Sequence, residues 1–150
     1  MLRSFFFIKI FAALAVLGHP AFAGGLVISQ SGLQDLNGEA SKPLMLRNDG
    51  SGIAYAQVRV FPSIEAFHAG QRPSQKVRVA PGQVRLAPGD QTDVDLTWVA
   101  GAVPRSKTCL TAVVDEAPPP ITGQLGGSDN TVRSGIALAV RHIMPVCYGQ

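Results

Sequence analysis

The sequence has 150 residues, 46% of them apolar, with 13 Lys and Arg against 10 Asp and Glu. That length is one domain in size and enough to bury a core. Arg3 and Lys9 fall in the first 23 residues, which hold no acidic residue, so the remainder is nearly neutral, and it lacks the Lys/Arg block interleaved with aromatics that nucleic-acid binding calls for.

Residues 1–23 read as a secretory signal: a basic start, an apolar run from Phe5 to Leu17, and small residues at Ala21 and Ala23. Cleavage is expected before Gly24, leaving residues 24–150 as one exported, soluble domain. No later stretch approaches the roughly 20 apolar residues that cross a bilayer, so no membrane insertion is expected after cleavage.

The rest of the chain reads as short β runs between turn signals, with no convincing amphipathic helix. Leu26 to Ser29 is the first run. Pro43 to Arg47 is the second, ended by Asn48-Asp49-Gly50-Ser51-Gly52. Tyr55 to Phe61 alternates, with Ala56, Val58 and Val60 on one face. Pro62 to Pro73 reads as a loop. Val77 to Leu86 holds one or two strands around Pro81-Gly82, and Pro88-Gly89-Asp90 turns the chain. Val94, Leu96 and Trp98 are the inward set of the next strand, and the Trp98 indole N–H there needs one partner. Gly101 to Lys107 is a loop, and Cys109 to Val114 a strand that leads to Pro118-Pro119-Pro120. Thr122 to Arg133 is a flexible Gly/Ser/Asp-rich connector. In the final stretch, Ile136, Leu138 and Val140 share one strand face, and Ala137, Ala139 and Arg141 the other. About seven strands at these spacings suit an all-β sandwich. The apolar face of the last one either pairs with a strand of another protein or is simply buried.

Cys109 and Cys147, 38 positions apart, are the only cysteines. In an exported chain they most simply form one disulfide, with two free thiols as the alternative. No catalytic constellation stands above background. There is no nucleophile elbow, phosphate loop or His-x-x-His pair. His68 and His142 lie far apart, and Asp93 and Asp95 read as solvated charges on an outer strand face. Asp115-Glu116 has no identifiable partners in the sequence. No enzyme activity, metal or cofactor is expected.

Five runs, in order, resemble the N-terminal immunoglobulin-like domain of the PapD-like periplasmic pilus-assembly chaperones, in particular their archaic branch. They are Leu44 to Gly50, Gln57 to Phe61, Val79-Ala80-Pro81 through Leu86-Ala87-Pro88-Gly89, Val113 to Pro119, and Ala137 to Arg141 continuing through Met144-Pro145-Val146. The resemblance spans about residues 25 to 148 and implies a single seven-stranded PapD-like sandwich, without the family's usual second domain. It implies a periplasmic chaperone, or a chaperone-derived domain, for pilus or fimbrial subunits, with an outer-membrane usher reached through the subunit complex. By donor-strand complementation, Ile136, Leu138 and Val140 would fill the groove of a subunit that lacks its own last strand. The resemblance also implies that Cys109 and Cys147 link the sixth and seventh strands. The family usually carries a basic residue in the first strand, which with one on the last strand holds the subunit's C-terminal carboxylate. Here Ser29-Gln30-Ser31-Gly32 has none, and Arg141 is the only basic candidate on the last strand.

Three other readings remain from the sequence. The chain could be a stand-alone secreted immunoglobulin-like structural or adhesion subunit, whose last strand is ordinary core. It could be a metal-carrying sandwich, which its few His and Met residues disfavour. It could also be a truncated gene product.

Overall fold

Among the described residues the alternating runs form eight strands, with one short helix between them: β1 (Leu26–Ser29), β2 (Ser41–Asn48), β3 (Ala54–Phe61), α1 (Ile64–His68), β4 (Val77–Ala80), β5 (Gln83–Leu86), β6 (Gln91–Trp98), β7 (Thr108–Ala117) and β8 (Val140–Tyr148). The computed structural model describes residues 25–117 and 139–150. The expected leader, the connector from Thr122 to Arg133, and Ile136 and Leu138 lie outside the described residues.

The strands form two antiparallel sheets, ordered β1-β2-β6-β4 and β5-β3-β7-β8. Period-two alternation turns one face of each sheet inward. Leu44 and Leu46 of β2 and Val94 and Leu96 of β6 meet Val58 and Val60 of β3, Ala112 and Val114 of β7, and Met144 and Val146 of β8. All ten are at most 2% exposed, so the core fills the space between the sheets. Asp93 and Asp95 lie exposed on the outer face of β6, as their positions in the sequence imply.

The run from Val77 to Leu86 is two strands, divided by Pro81-Gly82. β4 pairs with β6 in the first sheet and β5 with β3 in the second, so the chain changes sheet here. The described residues therefore hold eight strands where the sequence reading counted seven, within the same sandwich.

The segment from Pro62 to Pro73, expected as a loop, contains α1. Ser63 caps it by accepting a hydrogen bond from the Ala66 N–H at 3.2 Å. Phe67 packs edge-on against Phe61, with ring centres 5.1 Å apart. A helix of five residues is too short for its period to show in a sequence window.

Lys42 and Asn48 share the inward face of β2 with Leu44 and Leu46, and both are 1% exposed. Burial of such groups demands partners. Lys42 Nζ donates to the Asp35 carbonyl and to Asn37 Oδ1, each at 2.7 Å. Asn48 Nδ2 donates to the Gly52 and Leu86 carbonyls, and its Oδ1 accepts from the Gly50 N–H. Asn48 thus ties the end of β2 to the end of β5 in the other sheet.

Trp98 is core, as expected, and its ring centre lies 5.3 Å from that of Tyr148. Its Nε1, however, has no hydrogen-bond partner among the described residues, contrary to expectation. Tyr148 supplies the inter-sheet polar contact instead. Its hydroxyl donates to the Leu96 carbonyl at 2.7 Å, and burial pushes its phenol far above the ordinary value. Tyr148→Phe removes this inter-sheet bond while the β2·β6 ladder still pairs the carbonyl, so an expected loss of about 1 kcal/mol should register in urea denaturation.

Candidate partner-binding edge

β8 differs from the other edge strands. β1, β4 and β5 have four residues each, whereas β8 has nine. Short edges resist unwanted pairing, and a long one is a template for another strand. Its far end is covered, because the Cys147 N–H donates to the Leu33 carbonyl and the Gly38 N–H to the Gly149 carbonyl. No described residue bonds the edge from Val140 to Val146.

The register fixes which backbone groups point outward. Cys147 faces Cys109 with Cα atoms 4.1 Å apart, the close spacing of a non-hydrogen-bonded antiparallel pair. Its N–H accordingly points away from β7. Pro145 has no N–H and sits at the same parity, opposite Thr111. The ladder is continuous, so Arg141 and Ile143 also turn their N–H and C=O outward, while Val140, His142, Met144 and Val146 bond to β7. Ile143, 43% exposed on the outer sheet face, lies at the middle of this open stretch.

The inward face of β8 outruns the core. Tyr148 and Val146 are fully buried and Met144 is 1% exposed, but His142 is half-buried and Val140 is 39% exposed. Of the three residues expected as a donor set, Val140 is therefore the first residue of β8, at the parity of the core face. Ile136 and Leu138 share that parity in sequence but lie outside the described residues.

Glu116, opposite Val140, is 8% exposed, and its carboxylate accepts no hydrogen bond from a described residue. Burial raises its carboxyl above the ordinary range, only partly opposed by His142. The folded state thus holds this proton more tightly than the unfolded chain does. Its contribution to stability is complete below the ordinary carboxylate range, around pH 4, and is lost as pH rises through the raised value. Glu116→Gln should therefore stabilise the domain by about 1 kcal/mol at pH 8 and by almost nothing at pH 4, as thermal melts at the two pH values would reveal.

On the outer face, Asp115, which had no evident partner in the sequence, accepts from Arg141 Nε on one oxygen and from Arg59 Nη2 on the other. Partial burial pushes its carboxyl up, but the hydrogen bonds from Arg141 and Arg59 outweigh that and hold it below the ordinary range. The Arg141 guanidinium also lies over the Phe67 ring, 4.8 Å from its centre. Arg141 is opposite Asp115, whereas the segment after β1 meets β8 at Cys147, six positions and about 20 Å further along the strand. Cys109 and Cys147 are joined as a disulfide between β7 and β8. Among the described residues no group of His, Cys, Asp and Glu could hold a metal ion, and no helix is long and apolar enough to cross a membrane.

No family model matches this sequence, and no curated protein matches it. Solved structures do. The chain is similar to the E. coli chaperone DraB, with a TM-score of 0.58 and 16% identity over 83% of this chain and 54% of that one. It is similar to the complex of CsuC with CsuE, a chaperone and tip-adhesion subunit of the archaic Csu pili of Acinetobacter baumannii, with a TM-score of 0.55 and 19% identity over 75% of this chain and 50% of that one. A PapD-like domain of human CEP192 matches at a TM-score of 0.51 and 12% identity, over 96% of both chains. The chain thus spans about half the length of the chaperones it matches. Two four-stranded antiparallel sheets, a strand that changes sheet at Pro81-Gly82, and these structural likenesses give this chain the PapD-like immunoglobulin fold.

Proposed function

We propose that this protein is a non-catalytic periplasmic chaperone of pilus or fimbrial subunits that works through β8 by donor-strand complementation. The observation that carries the reading is the nine-residue edge strand with its outward backbone groups free from Val140 to Val146 among the described residues. An incoming subunit strand would take up the N–H and C=O groups of Arg141 and Ile143 as a β-augmentation. Val140 would be the last of an apolar series begun by Ile136 and Leu138, which leaves the chaperone's core and enters that of the subunit. The solved CsuC–CsuE complex pairs a chaperone of this fold with a pilus subunit, which supports a subunit as the client class. Residues 1–23 would direct export to the periplasm, and a usher would be met through the subunit complex. Arg141 remains the candidate anchor for a subunit carboxylate, in competition with Asp115.

The test is capture of a secreted pilus subunit by the mature protein expressed in the periplasm. Leu138→Asp is expected to abolish capture and to leave the thermal midpoint unchanged. A variant that unfolds instead would make Leu138 core and end the donor reading.

A stand-alone immunoglobulin-like structural domain is the second reading. It is favoured by the match to the CEP192 domain over 96% of both chains. A folded protein that captures no subunit and binds no ANS at its edge would select it.

A further inference from the structure

Packing alone does not explain how the first half of β8 is held. Its far end is fixed by the disulfide at Cys147 and by sealed core residues. At the near end the core gives out. Val140 is 39% exposed, and His142 Nε2 is buried without a partner among the described residues. The contacts that remain, besides the ladder to β7, are on the outer face. Arg141 Nε donates to Asp115, which Arg59 of β3 holds from its other oxygen. The Arg141 guanidinium rests on Phe67 of α1, and Phe67 is seated on Phe61 of β3. One side chain of β8 is therefore tied to β7 by an ion pair and, through α1, to β3 beyond it. A planar guanidinium can make both contacts at once, one in its plane and one on its face. Asp115 is only 21% exposed, so the pair is shielded more than an ordinary surface bridge.

The geometry points to a latch. Asp115 and Phe67, acting through Arg141, hold Val140 to Ile143 against β7 where the core no longer does. They thereby keep the open edge in the conformation that a partner strand must meet. Asp115 and Phe67 are positioning residues. The hold on β8 stands on the geometry alone, whereas its consequence for a partner rests on the chaperone reading.

Amide exchange followed by NMR on the whole mature protein separates the two. Val140 and His142 bond to β7, so their amides report opening of this half of the strand. Arg141→Met and Asp115→Asn are each expected to speed their exchange about tenfold, with Met144, Val146 and the amides of β2 and β6 changed less than twofold. Phe67→Ala should do the same, and Phe67→Tyr, which keeps the ring, should restore the native rate. In the Arg141→Met background, Asp115→Asn should add nothing, because both act through one side chain. If Phe67→Ala does not fold, Arg141→Met, half-exposed at the surface, carries the test. Native exchange at His142 in Arg141→Met would overturn the latch. Faster exchange with undiminished subunit capture would uphold the hold on β8 and overturn its role in partner binding. If capture is also indifferent to Ile143→Pro, the edge reading itself fails, and the latch stands or falls on exchange alone.

Discussion

Replacing both Cys109 and Cys147 with Ala is expected to destabilise the domain by about 4 kcal/mol. The bond closes a loop between residues 38 positions apart, and loop-closure entropy for that length gives a stabilisation of this size. The two residues face each other in the β7·β8 register, so the folded strands already bring them together. The penalty falls mainly on the unfolded chain. It is large beside the 5–15 kcal/mol typical of a whole domain. In urea the midpoint should drop by roughly 2 M if the slope is near 2 kcal/mol/M. The loss should be felt most at β8, whose other attachments weaken towards Val140. A drop below about 1 kcal/mol would mean that the unlinked chain keeps this loop nearly closed when denatured, contrary to the entropy argument.

Ile143→Pro is expected to weaken subunit capture between about tenfold and a hundredfold while leaving the domain folded. Proline removes one backbone N–H and puts a ring in its place. At position 143 that N–H points away from β7, so no bond of the β7·β8 ladder is lost. Pro145, two residues on, is tolerated at the same parity. An incoming strand, by contrast, would lose a donor at the centre of the open edge and be left with an unpaired carbonyl, which costs about 1–3 kcal/mol. The same substitution at His142 would break a bond to β7 and serves as the destabilised control. Capture that survives Ile143→Pro in a folded protein would mean that partners bind elsewhere than on this edge.

Much of the sandwich is legible in the sequence because alternation carries it. Ala56, Val58 and Val60, and again Val94, Leu96 and Trp98, alternate strictly and are the inward faces observed. The change of sheet at Pro81-Gly82 is not legible, since each short strand on either side pairs with a different neighbour far away in the chain. The buried Lys42 and Asn48 are legible only as a parity conflict. They fall in phase with Leu44 and Leu46, and the partners that make their burial tolerable come from loops and from the end of β5, which no period of β2 announces.

The candidate site divides in the same way. The cysteine pair and the apolar parity of the last strand follow from counting and alternation. The sequence reading set Ile136, Leu138 and Val140 on one face of that strand. The described strand begins at Val140 and continues to Tyr148, with His142, Met144, Val146 and Tyr148 inward. Pro145 suits an edge position, because the side of the strand on which its N–H is missing faces away from β7. Asp115 is a different case. Its two arginines, Arg59 and Arg141, come from strands on either side of β7, and only strand order brings them together.

The central claim, that the open edge of β8 receives a partner strand, is tested most directly by amide exchange at Arg141 and Ile143 in the free protein and in the complex with a captured subunit. In the free protein these two amides should exchange quickly while those of His142 and Met144, which bond to β7, exchange slowly. In the complex, Arg141 and Ile143 should become at least a hundredfold slower as their N–H groups enter a new ladder. If both stay fast while a subunit is bound, the partner does not add a strand to β8, and the account of this edge is wrong.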